Sequence, residues 1–129
     1  MAKEPRFSEA SSKRIRADLL RSEMKGHATA ENVRQVSSDY RNMVDPGAVW
    51  IVDGKGVTSF AYDAVDTAKT EFMQLARELR LVTLVAILPH ALPRMGAMAV
   101  GVALRAANSP LVLTVVDTDA AAMAFLSKR

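Results

Sequence analysis

The residues best suited to chemistry lie in mid-chain. Asp53 closes the apolar run Ala48, Val49, Trp50, Ile51, Val52, and Lys55, Thr58, Ser59, Tyr62 and Asp63 follow closely. Hydroxyls, acids and a lysine at the carboxyl end of a buried strand could hold an anion against a helix's unpaired N–H groups, or move a proton. No complete catalytic set accompanies them. Gly54-Lys55-Gly56 lacks the third glycine of a dinucleotide fingerprint, whose place Ser59 takes, and no Gly-x-x-x-x-Gly-Lys loop occurs. Both glycines read as a tight turn. A Gly-x-Ser-x-Gly elbow is also missing.

A receiver-type phospho-aspartate site fails on two counts. Gly26-His27-Ala28 stands where an acidic pair should hold magnesium, and Asp117-Thr118-Asp119 replaces the lysine due after the last strand. His27 and His90 are the only histidines, there is no cysteine, and no His-x-x-x-His spacing is present, so neither a metal nor a cofactor is expected. Asp53, Lys55 and Asp117 remain as the polar groups of an alternative reading. In it, a small molecule or nucleotide occupies the crevice at the strand carboxyl ends, with weak hydrolase activity at most.

The elements that must position these groups follow from periodicity. Residues 1–12 read as a flexible basic arm and 13–129 as one domain. Over 13–25, Ile15, Ala17 and Leu19 alternate with Arg14, Arg16 and Asp18 and then change phase, which fits an edge strand or a hairpin. Thr29 is a candidate N-cap, with Glu31 in the first turn and Val33, Val36, Tyr40, Met43 and Val44 along one face. Asp45-Pro46-Gly47 stops that helix.

Residues 48–53 form a strand buried on both faces, 54–59 a loop, and about 62–79 a helix with Val65, Ala68, Phe72, Leu75, Ala76 and Leu79 inward. Further on come a strand over 81–88, a helix over about 93–107, a strand over 111–116 and a short helix, Asp119 to Ser127, capped by Thr118 or Asp117. This alternation predicts an α/β domain: a mostly parallel sheet of about four or five strands, covered by about four helices through right-handed crossovers.

Composition sets the outer bounds. At 129 residues, half hydrophobic and about a quarter charged, the chain is sized for a single folded domain. Lack of cysteine suits a reducing compartment, and the first residues contain no apolar signal segment. The apolar stretch over 81–104 is interrupted by Pro89-His90 and Pro93-Arg94, so two elements joined by a turn are expected rather than a membrane span. The net charge of +3 is already reached within residues 1–26, but only Phe7 interleaves with those bases, and nucleic-acid binding is not expected.

The helix over 93–107 is apolar nearly all round, with Arg94 and Arg105 its only charges. One stripe suffices to cover a sheet, so the excess predicts a second covered side, by a neighbouring helix or a partner chain. Met95, Met98 and Val102 are the candidate self-association residues.

The run from the strand ending at Asp53, through Gly56-Val57-Thr58, to Phe60-Ala61-Tyr62-Asp63-Ala64-Val65 resembles the STAS domain, the fold of anti-sigma-factor antagonists. That family has Asp-Leu-Ser-Gly-Val at the strand end and an Asp-Ser-Ser-Gly-Leu-like run opening the next helix. A looser similarity covers about residues 13–127. Aligning Gly56-Val57 on the family's Gly-Val puts Ala61 on the motif's aspartate, Tyr62 on the serine phosphorylated by an anti-sigma kinase, and Asp63 on the second hydroxyl position. The resemblance implies a non-catalytic signalling module in a bacterial cytoplasm that docks a kinase-like anti-sigma factor or another regulatory protein. The usual phosphoserine switch is replaced by a fixed charge. Thr58, Ser59, Tyr62 and Asp63 are the residues expected to touch the partner.

Overall fold

The computed structural model describes residues 7–128. In chain order it contains β1 (Ser8–Arg16), β2 (Leu19–Ala28), α1 (Ala30–Met43), β3 (Val49–Phe60), α2 (Ala64–Leu79), β4 (Thr83–Ile87), α3 (Ala91–Ala106), β5 (Val112–Val116) and α4 (Asp119–Ser127). The strands make one sheet in the order β1-β2-β3-β4-β5, antiparallel between β1 and β2 and parallel elsewhere. This is the α/β architecture expected from the alternation of periods.

Because the parallel strands advance in one direction across the sheet, right-handed crossovers put α1, α2 and α3 on the same face. Leu20, Met24, Trp50, Val57, Leu84 and Ala86 meet those helices in the main core. Trp50 is its centre, fully buried between the rings of Tyr40 at 5.2 Å and Phe72 at 5.4 Å. Its indole N–H donates to Ser22 Oγ at 2.9 Å, and the Tyr40 hydroxyl donates to the Ala48 carbonyl at 2.6 Å, so both polar tips are satisfied in the interior. The opposite face has a smaller cluster of Leu19, Ile51, Val85, Ile87 and Ala122, covered by α4.

Local signals set several boundaries. Thr29 caps α1 by accepting from the Asn32 N–H, and Asn32 Oδ1 accepts from the Thr29 N–H, a reciprocal capping box. Thr118 caps α4 through the Ala121 N–H. The apolar stretch after residue 80 divides at Pro89 into β4 and α3, and no helix among the described residues is long and apolar enough to cross a membrane.

Three expectations are corrected. Residues 8–12, assigned to a flexible arm, belong to β1, whose long register with β2 forms a hairpin around Ala17 and Asp18; residues 1–6 lie outside the described residues. Residues 54–59 are not a loop, since β3 runs on to Phe60 alongside β2, with register shifts near Lys25 and Gly26. The glycines therefore serve close approach rather than a turn. A Cβ on Gly54 would collide with Leu88 Cδ2 and sit 3.2 Å from the Ile87 carbonyl oxygen, and one on Gly56 would lie 3.0 Å from Lys25 Cγ. Finally, α2 opens at Ala64 rather than Tyr62, leaving Tyr62 and Asp63 in the turn before it.

Candidate functional site

The end of β3 and the entry to α2 bring Thr58, Ser59, Tyr62 and Asp63 onto one corner at the carboxyl edge of the sheet. The corner is pinned from behind: the Ala61 N–H donates to the Ala28 carbonyl at 2.7 Å, the Ala64 N–H donates to the Ala61 carbonyl at 3.0 Å, and Phe60 packs on the core. Its outward side chains are free of that packing. Thr58 and Asp63 are exposed, and Tyr62 is 100% exposed. Asp63 occupies the N-cap position of α2 but makes no side-chain capping bond, so its carboxylate stands at the positive end of the helix, open to solvent.

Ser59 is half-buried, and its Oγ lies 2.7 Å from His27 Nδ1 on the neighbouring strand. The parallel register that sets His27 beside Ser59 also sets Ala28 beside Phe60. His27 was not among the residues read as part of this corner, because only strand pairing brings it there.

Two hollows flank the corner. Toward the interior is a cavity of about 60 Å³ bounded by apolar groups, among them Phe60, Ala64, Val65, Gly96 and Val100. Toward the outside, Arg34 of α1 and Asp66, Thr67, Thr70 and Glu71 of α2 line an open groove of about 270 Å³. Asp66 lies in the first turn of α2, three residues after Asp63, so this polar groove begins close to the corner.

Asp53 and Lys55 take a different part. Asp53 is buried on the α4 face, where Arg21 Nη2 donates to its Oδ2 at 2.8 Å, Lys55 Nζ donates to the same oxygen at 3.0 Å, and the Lys55 backbone N–H donates to Oδ1 at 3.0 Å. Arg21 also donates to Asp119 Oδ1 at 2.7 Å, and Lys55 pairs with the other oxygen of Asp119. Burial alone pushes the Asp53 carboxyl up, but Lys55 and Arg21 outweigh it and hold the group below its usual range. Asp119 is held low by Lys55 and then Arg21.

Two cations thus neutralise two anions, tying α4 to β2 and β3. Asp117, the third polar group of the ligand-crevice reading, is exposed and forms no ion pair among the described residues; Asp119 takes the contact instead. Neither Arg21 nor Asp119 was foreseen as a partner of Asp53, since nothing local in the sequence links them.

On α3, Ala97, Val100 and Leu104 face the core, and Gly96 meets α2 and β3, where its Cβ position lies 2.8 Å from Phe60. Met95, Met98 and Val102 are 57–64% exposed, so no neighbouring helix of the described chain covers them.

No family model matches this chain, and no curated protein matches it. Among solved structures, it is similar to an uncharacterized protein of the DUF3478 family from Shewanella loihica PV-4, described as having a SpoIIAA-like fold. The two are 16% identical over 98% of each chain, with a TM-score of 0.58. The architecture is therefore the SpoIIAA-like, STAS-type fold that the run around Asp53 and Tyr62 resembles.

Proposed function

We propose that the chain is a non-catalytic regulatory module that grips a protein partner through Thr58, Ser59, Tyr62 and Asp63. The observation that carries this reading is Tyr62, wholly exposed on a corner whose backbone is fixed by the Ala61–Ala28 bond. A tyrosine on a pinned backbone supplies large contact area at the entropic cost of only two side-chain torsions, which is why such residues anchor protein interfaces. Asp63 beside it adds a fixed negative charge, and the groove along α1 and α2 extends the footprint.

The charged groups at the strand carboxyl ends point the same way. Asp53, Lys55, Arg21 and Asp119 are engaged with one another. The apolar cavity behind the corner has no polar group to activate a substrate. By analogy with anti-sigma-factor antagonists, the partner is a kinase-like anti-sigma factor or another signalling component. Tyr62 and Asp63, in place of two serine or threonine residues, make docking constitutive rather than governed by serine phosphorylation.

Asp63→Lys tests the proposal. It should sharply reduce recovery of the partner from lysate of the native host while lowering unfolding free energy by only about 1 kcal/mol, the scale of reversing a charge at a helix N-terminus. Recovery equal to wild type contradicts it.

A further inference from the structure

The two edges of the sheet differ in kind. β1 contains Glu9, Lys13, Arg14 and Arg16, the charges by which proteins protect an edge from pairing. β5, at the other edge, reads Val-Leu-Thr-Val-Val with neither charge nor proline. Its inner side is committed: the Val112 N–H donates to Val82 O, and Val116 O accepts from the Leu88 N–H. Strand alternation then turns the N–H and C=O of Leu113 and Val115 away from β4, and no described strand pairs with them.

α3 flanks the same edge. Gly96 marks its side toward α2, and Met98, two residues or about 200° further round the helix, lies on the opposite flank above β5. Exposed Met95 and Val102 adjoin it.

We propose that this edge pairs with a second copy of the chain. Antiparallel β5 strands related by a twofold axis at Thr114 set Leu113 against Val115 of the other copy. Each such pair exchanges two N–H···O=C bonds, and one sheet then runs through both copies. The occupant follows from charge as well as backbone. α3 runs opposite to β5, so Arg105 stands at the N-terminal end of β5 and Asp117 just past its C-terminal end. Both are exposed, and neither forms an ion pair among the described residues. The antiparallel arrangement brings each Arg105 to the Asp117 end of the other copy. A parallel arrangement would place like charges together. The surface is separate from the Tyr62 corner and leaves it open, so this inference does not depend on the docking proposal.

Sedimentation equilibrium of the whole chain provides the test. Wild type should show a monomer–dimer equilibrium. Arg105→Asp and Asp117→Arg should each raise the dissociation constant about tenfold, because the twofold axis counts every substitution twice, and the double variant should recover most of the loss. Val115→Pro, which removes an outward N–H without touching the bonds to β4, should leave only monomer. A wild-type chain that stays monomeric up to ~1 mM, whatever else it binds on that face, overturns the inference. So does a dimer whose dissociation constant neither charge substitution changes.

Discussion

Arg21 and Asp119, 98 residues apart in the chain, meet at 2.7 Å and join the second strand to the last helix. Lys55 contacts the same carboxylate, and both cations also hold buried Asp53. α4 buries Ala122 fully and packs Phe125 and Leu126 against the same apolar cluster, and the charge cluster adds a polar tie to the sheet. Asp119→Ala should cost about 0.5–1 kcal/mol of stability, the scale of a half-exposed ion pair. It should also raise hydrogen exchange in α4 selectively. Equal exchange across all helices would show that α4 is held by packing alone.

The same cluster sets a response to acid. Asp53 and Asp119 are both held below their ordinary range, whereas in the unfolded chain they titrate near 4. In that window the unfolded state binds more protons than the folded one. Their contribution is therefore complete above about pH 4 and is lost as the pH falls through the lower folded values. Urea midpoints should drop more steeply with acid in wild type than in Asp119→Asn, which keeps every other carboxylate. Parallel curves would contradict this.

Gly54 supports the close approach of β3 to the end of β4. Gly54→Ala drives a methyl group into Leu88 and should destabilise the chain by about 1–3 kcal/mol, a core-overpacking cost measurable by urea unfolding. A harmless substitution would mean that Leu88 turns into the neighbouring apolar cavity and relieves the clash.

Ser22 receives the Trp50 indole N–H in a buried site and bonds the Ser12 hydroxyl at 2.7 Å. Ser22→Ala should leave the indole N–H unpaired, at about 1–3 kcal/mol, with a change in tryptophan fluorescence. Because Trp50 is the only tryptophan, the signal has one source.

Much of the fold could be read locally. The Thr29 and Thr118 caps, the inward stripe of α2 and the break at Pro89 each place an element near its observed position. What escaped was non-local. Lys55, Gly56 and Thr58 look like a turn until the register with β2 and its shifts are known; only then does buried Val57 identify the segment as strand. β1 is almost free of large apolar residues because its outer edge and much of its surface face solvent, and its pairing with β2 has no signature within β1 itself. The same limit applies to the corner. Thr58 to Asp63 could be grouped because they are contiguous, while His27 beside Ser59 and Asp119 beside Asp53 arise from sheet pairing and helix return.

Site-specific photocrosslinking in the native host measures the docking claim most directly. A photoreactive residue replacing Tyr62 should yield one discrete protein adduct, lost when Asp63→Lys is added, while the same probe at exposed Met123 on α4, across the sheet, gives none. No adduct from position 62, or an adduct that survives Asp63→Lys unchanged, would contradict the account.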